Sequence, residues 1–148
     1  MFSKINLKIL FVVSISALLS LPYFVSAVSL GEKTDFFVDS TYDLTQREEI
    51  SAILQTIGPN LYFYVDDGWW KTLEYQKKQE VGRAFSSLGS EFYYQIYPTL
   101  TSTFGYEWKP GIDEDNRIAV LIHPMKEGAG GYFNKFFSKI KGSAHSIV

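Results

Sequence analysis

The two histidines, His123 and His145, are the side chains in this sequence best suited to acid–base or metal chemistry. His123 directly follows residues 117–122, an apolar run typical of a buried strand, and functional groups of α/β folds often stand at strand ends. The alternative, which we favour, is a strand-end histidine satisfied by backbone groups. Because the chain has no cysteine and only these two histidines, a site that needs three such ligands is excluded. The sequence therefore predicts no catalytic residue and no metal ligand.

Two further segments carry residue types found at ion or phosphate sites. Residues 113–116 are rich in oxygen ligands and fit the start of a calcium loop, but Arg117 stands where a third ligand is needed. We interpret this run as a solvated loop with an Asx turn. Residues 128–131 are glycine-rich, yet they lack the lysine and the following helix of a phosphate loop. Neither segment predicts a cofactor-binding residue.

Aromatic residues make up 17% of the chain, and the adjacent Trp69 and Trp70 are the candidate binding residues among them. Neighbouring rings of this kind can stack on a sugar or a peptide. Such residues more often form a core and its rim. The tryptophans therefore support an alternative function, an extracellular peptide- or carbohydrate-binding module with an aromatic surface.

Apolar spacing predicts the elements that must position these residues. Residues 35–39, 61–65 and 117–123 read as strands, and residues 69–97 read as a long helix that Pro98 ends. One more helical turn over residues 99–104, before Gly105, stays open. A strand, a long helix and a second strand form a βαβ unit with parallel strands. We therefore predict an α/β (α+β) fold, a small mixed sheet with one long backing helix.

Residues 45–58 are ambiguous at this level. The apolar spacing is helical, and Thr45 with Glu48 matches a capping box. The turn-forming residues 58–60 instead favour a hairpin with the following strand. Both interpretations stay open on local grounds.

The two ends of the chain differ in character from residues 28–133. Residues 1–27 combine early lysines, an apolar stretch and a Val-Ser-Ala tripeptide, which predicts a secretory signal peptide and a secreted protein; a permanent anchor is the alternative. Residues 134–148 carry lysines and no acid, which predicts an irregular basic tail produced by truncation or a frame change, or else a natural disordered terminus. A formal net charge of −2 argues against a nucleic-acid partner.

Six short motifs, taken in order, resemble the N-terminal part of the secreted hyicolysin-like zinc metallopeptidases, a zincin family. They are LYFYVDD at 61–67, IYP at 96–98, FG at 104–105, PGIDED at 110–115, RIAVLI at 117–122 and GGYF at 130–133. The resemblance covers residues 35–133 and stops before the H-E-x-x-H helix, which this sequence lacks. No catalytic residue of the family has a position here.

This resemblance implies the upper half of a zincin catalytic domain. Residues 49–57 would pair with 61–66 as a hairpin, residues 73–97 would form the backing helix, and residues 117–123 a central strand. Zinc is expected in intact relatives, whereas this chain is expected to hold no cofactor and to be catalytically incomplete. Its sheet would have an unpaired edge open to self-association, and it would meet a membrane only through an uncleaved signal segment.

Overall fold

The computed structural model describes residues 28–107, 115–132, 139–140 and 143–144, and within them the chain folds around a curled four-stranded sheet. The strand order is β1–β2–β3–β4, in which the first two neighbouring pairs are antiparallel and β3 pairs with β4 in parallel. The strands are β1 Lys33–Phe37, β2 Glu49–Ile57, β3 Leu61–Asp66 and β4 Ile118–Ile122. A mixed sheet with one long helix confirms the predicted small α+β fold.

The segment that was ambiguous in sequence is strand β2, so the hairpin interpretation is correct and the helical one is wrong. Ile50, Ala52 and Leu54 are buried at alternate positions, as expected for one face of a strand. The capping box does not form, because the amide and hydroxyl of Thr45 both donate to Asp43. Pairing on both sides, with β1 and with β3, therefore prevails over the helical spacing.

The crossover from β3 to β4 consists of three helical segments. They are α1 Asp67–Thr72, α2 Tyr75–Glu91 and α3 Tyr97–Phe104, with a π-helical turn at Phe92–Ile96 between α2 and α3. Pro98 does not end the helical run, whereas the further turn over residues 99–104 that the sequence left open does form. Pro98 lies at the start of α3, directly after the π turn, where the hydrogen-bond register changes and a missing amide proton costs little. The helix ends instead at Gly105, whose φ of 86° suits glycine.

Apolar side chains cover both faces of the sheet. On the face toward α2, the rings of Phe63 and Phe85 stack with centroids 4.8 Å apart. Gly89 faces the Phe63 ring, and a Cβ there would make an ordinary contact at 3.6 Å. All six residues of β3 are buried, because β2 and β4 flank this strand. The opposite face contains the buried side chains of Phe36, Ala52, Leu54, Tyr62 and Tyr64.

Two predicted segments lie largely outside this description. The proposed signal peptide, residues 1–27, falls entirely outside the described residues. In the segment predicted as an irregular tail, β5 Lys139–Ile140 pairs antiparallel with β6 Ser143–Ala144, and the other residues after Tyr132 are outside the description. In the part of the chain that is described, no helix is long and apolar enough to cross a membrane.

Candidate functional site

The carboxyl ends of the parallel strands β3 and β4 lie side by side and carry the candidate site. Val65 pairs with Ile122, so Asp66 at the end of β3 and His123 after β4 stand at the same edge of the sheet. Such an edge is where α/β folds commonly place functional groups. The strand-end position of His123 is thus as the sequence suggested.

The loop between β1 and β2 folds over this edge and is joined to the segment that follows β4. The Leu44 amide donates to the Pro124 carbonyl at 3.1 Å, and the Lys126 amide donates to the Tyr42 carbonyl at 2.9 Å. Asp43 forms an isolated antiparallel bridge with Met125 between these two contacts. This backbone pairing brings the Asp43 side chain to His123.

Asp43 is completely buried and its carboxylate accepts hydrogen bonds from several donors of its own loop. Oδ2 accepts from the amide and hydroxyl of Thr45 at 3.0 and 2.9 Å, and from the amide and Nε of Arg47 at 3.0 and 3.1 Å. Oδ1 accepts from Arg47 Nη2 at 2.7 Å. Gln46 adopts a left-handed φ of 61°, which turns the chain so that both flanking amides face the carboxylate. Hydrogen bonding to Arg47 holds the pKa of Asp43 far below its usual range.

His123 is buried, with 4% of its side chain exposed, and both ring nitrogens face side chains. Nδ1 lies 3.1 Å from Asp43 Oδ1, and Nε2 lies 3.4 Å from the Tyr132 hydroxyl. Because the carboxylate only accepts, we assign the ring proton to Nδ1 and the acceptor role to Nε2. Burial raises the pKa of the Tyr132 hydroxyl, which also accepts the Asp39 amide proton at 3.3 Å. Side chains therefore satisfy His123, where the sequence suggested backbone groups.

Arg47 extends this network to the end of β3. Its Nη1 lies 2.7 Å from Asp66 Oδ2, an ion pair in which that buried oxygen has no hydrogen bond of good geometry within the described chain. Asp66 Oδ1 caps α1 by accepting the Trp69 amide proton at 3.1 Å. Hydrogen bonding to Asp43 raises the pKa of Arg47. We call the set Asp43, Arg47, Asp66, His123 and Tyr132 the clasp.

The clasp is built to hold elements together and leaves no group open for reaction. A general base needs a nitrogen that a substrate can reach, whereas both nitrogens of His123 are buried against partners. A metal ion would have to displace Arg47 from Asp43. Over the described ranges, no group of three His, Asp or Glu side chains is placed to hold a metal ion. Within the described residues, His123 and Asp43 bind each other and Arg47, and this arrangement does not present a zinc site.

Trp69 and Trp70, the candidate binding residues, are half-buried and pack beside the Phe63–Phe85 cluster. Lys78 Nζ lies 5.6 Å from the centre of the Trp70 ring, a distance suited to a cation–π contact. Their position at the rim of the core matches the ordinary role of such residues. Ligand binding through them stays a prediction.

The acidic run before β4 is described only from Asp115 onward. Asp115 Oδ1 accepts the Arg117 amide proton at 2.9 Å, which is an Asx turn as predicted. Asp115 Oδ2 accepts the Tyr62 hydroxyl proton, and that hydroxyl accepts from Arg117 Nη1 at 2.9 Å. These contacts fix the amino-terminal end of β4. Residues 113–114 lie outside the described residues.

The sequence reasoning missed Asp43, Arg47, Asp66 and Tyr132 as members of one cluster. An available signal was the alternation of Asp43, Thr45 and Arg47 in a turn-rich loop, since Asp followed at two residues by Thr is typical of an Asx turn. That pattern identifies the local hydrogen bonds. It does not identify His123, which lies 80 positions away.

Comparison with known proteins found no relative of this chain. No family model matches it, and neither a curated protein nor a solved structure matches it.

Proposed function

We propose that the chain is an exported domain related to the hyicolysin-like zinc metallopeptidases, one that supplies the sheet and backing helix and is catalytically incomplete alone. The observation that supports this is the β2–β3 hairpin, followed by a long helical crossover to parallel β4. The resemblance implied that hairpin, whereas local spacing left a helix open. The order of elements agrees with the order of motifs that carries the resemblance.

The donors around His123 support the catalytically incomplete part of this proposal. In a zinc peptidase the metal is held by at least three protein ligands and activates a water molecule. In this chain His123 Nδ1 and the Asp43 carboxylate contact each other, and Arg47 donates a hydrogen bond to the same carboxylate. The role left to these residues is to fix the loop and the strand ends as a scaffold.

A chimera tests the scaffold role. Residues 28–132 replace the matching half of a hyicolysin-like peptidase, and casein hydrolysis and bound zinc are measured. We expect a soluble chimera that binds zinc and hydrolyses casein. A matched chimera carrying Phe63→Asp, which places a charge in the core, should lose both properties. A chimera that folds with native-like circular dichroism but has neither zinc nor activity would overturn the proposal.

Zinc content of the chain alone tests the second half of the proposal. After dialysis, we expect metal analysis to find no stoichiometric zinc and a casein assay to find no hydrolysis. Stoichiometric zinc that disappears in His123→Gln would show that the clasp opens to bind metal. That result would replace the scaffold role with a metal site.

A second candidate function, a peptide- or carbohydrate-binding module, is favoured by exposed rings near the end of the crossover. Tyr94 and Phe104 are 75% and 83% exposed, and residues 92–106 contain no charged side chain. Affinity electrophoresis in polysaccharide gels tests this function. Phe104→Ala should abolish retardation, whereas Tyr75→Ala, which removes a similarly exposed ring at the start of α2, should not. Unretarded wild-type protein would exclude carbohydrate binding for the polymers used.

A further inference from the structure

Strand β4 has an open edge. In the described part of the chain it forms a ladder only with β3, and each of its five residues keeps part of its surface exposed, with Ile118 at 44%. By contrast, every residue of β3 is buried. The residues of β4 are Ile, Ala, Val, Leu and Ile, so the strand itself has none of the lysines or prolines with which proteins protect such edges.

The backbone direction along β4 identifies the groups at this edge. The Ile118 amide donates to the Asn60 carbonyl at 2.9 Å, so Ile118 directs its backbone groups toward the β3 side. Backbone groups alternate in direction along a parallel strand, so Val120 and Ile122 do the same. Ala119 and Leu121 therefore direct their amides and carbonyls outward, away from β3.

We propose that β4 of a second copy of this chain pairs antiparallel with β4 at this edge, about a two-fold axis at Val120. In this register Ala119 faces Leu121 of the second copy, and each such pair exchanges two backbone hydrogen bonds. Val120 faces its own counterpart, and Ile118 faces Ile122. The two copies then form one continuous sheet across the interface.

The sequence of β4 suits this partner because it is nearly the same in both directions. An interface with two-fold symmetry needs a surface that is complementary to itself. Ile-Ala-Val-Leu-Ile gives apolar side chains opposite one another at every position, and β-branched pairs such as Val with Val stabilise neighbouring strands. The partner therefore needs no sequence other than that of this chain.

The flanking charges favour the antiparallel direction. Acidic residues 113–115 precede β4, and Lys126 follows it. Lys126 Nζ donates to the carbonyls of Ser40 and Thr41. Antiparallel pairing brings Asp115 of one copy to the Lys126 side of the other, whereas parallel pairing would place Asp115 beside Asp115 and Lys126 beside Lys126. This association does not depend on the proposed peptidase relationship.

Sedimentation velocity of the purified full-length chain over a range of concentrations tests the proposal. We expect a monomer–dimer equilibrium in which Ile118→Lys raises Kd at least about tenfold, since it places a charge opposite Ile122 of the second copy. The matched control is Ile57→Lys, which changes a similarly exposed isoleucine, 39%, at the end of β2. This control should leave Kd unchanged.

Ala119→Pro provides an independent test because it removes an outward amide and leaves the ladder with β3 intact. It should abolish the dimer, and in the wild type the Ala119 and Leu121 amides should exchange hydrogen more slowly as concentration rises. Circular dichroism checks that each variant folds; if Ala119→Pro does not fold, Ile118→Lys and the exchange data decide. A wild-type monomer at all concentrations, or association that Ile118→Lys does not weaken, would overturn the proposal.

Discussion

Replacing Asp43 with asparagine removes the central charge of the clasp and keeps the size of the side chain. The carboxylate accepts from Thr45 and Arg47 through both oxygens and also contacts His123. An asparagine has one acceptor oxygen and an NH₂ group that cannot accept. If the oxygen keeps the Thr45 side, the NH₂ group faces Arg47 Nη2, donor against donor, at a site with no solvent exposure.

The size of the loss in unfolding free energy depends on the ion pair with Asp66, which Arg47 keeps when Asp43 is replaced. Breaking a buried ion pair by removing one partner costs about 3–5 kcal/mol when the other charge is left uncompensated. Arg47 is 35% exposed and keeps Asp66 at 2.7 Å, so the loss belongs at the lower end, about 3 kcal/mol. That is a large fraction of the about 5–15 kcal/mol that stabilises an ordinary domain.

Urea unfolding followed by tryptophan fluorescence measures this loss. With an m value of about 1–3 kcal/mol/M, the midpoint should fall by about 1–3 M. The matched control is Asp35→Asn on the exposed side of β1, which should change the free energy of unfolding by less than about 0.5 kcal/mol. A loss below about 1 kcal/mol in Asp43→Asn, with an unchanged m value, would refute the view that the clasp stabilises the fold.

Three further predictions concern the pH dependence of stability, the backbone conformation at two glycines and the export of the protein. Because Arg47 holds the pKa of Asp43 well below its unfolded value of about 3.9, the stability that Asp43 contributes should be fully present above about pH 5 and be lost as the pH falls. The fall in stability should therefore be shallower in Asp43→Asn; urea midpoints measured against pH check this, and equal slopes would contradict it. In thermal melts, Gly82→Ala should stabilise the helix by about 0.5–1 kcal/mol, since its Cβ would meet nothing within 4 Å. Gly105→Ala should destabilise the protein by about 1 kcal/mol, because the φ of Gly105 is 86°. Shifts in melting temperature of the same sign would be inconsistent with this geometry. Amino-terminal sequencing of secreted protein should begin at Val28, and a product that retains Met1 would disprove signal cleavage.

Apolar spacing was enough to predict the strands β1, β3 and β4 and the long helix, because each contains an apolar run or stripe bounded by polar or turn-forming residues. It was not enough for β2, where Ile50, Ile53, Leu54 and Ile57 fit a helical face, while Ile50, Ala52 and Leu54 also fit the alternating face of a strand. Contacts with β1 and β3 decide between them, and local sequence does not contain those contacts. At Pro98 the local rule that proline ends a helix did not anticipate the π turn at Phe92–Ile96, after which a new helix begins with Pro98 in its first turn.

The clasp could not be predicted from the sequence, because its central contact joins residues that are far apart in the chain. Asp43 and His123 are 80 positions apart, and they meet only because β3 and β4 are parallel neighbours and the β1–β2 loop folds over their ends. The type of a residue indicates what it can do, but its partners decide what it does. An isolated strand-end histidine resembles a catalytic or metal-binding group, whereas His123 between Asp43 and Tyr132 has neither nitrogen left for a substrate or a metal.

The chemistry of the clasp also explains why polar groups occupy this edge of the sheet. A buried ion pair contributes little net stability compared with apolar packing, but its hydrogen bonds accept few alternative geometries. The loop over β3 and β4 contains the left-handed Gln46 and has few apolar side chains in the core, so packing alone would hold it in several positions. Thr45 and Arg47 direct five donors at Asp43 and His123 Nδ1 adds a sixth, which holds the loop in a position where Arg47 also reaches Asp66. The clasp therefore fixes the β1–β2 loop to the ends of the parallel strands.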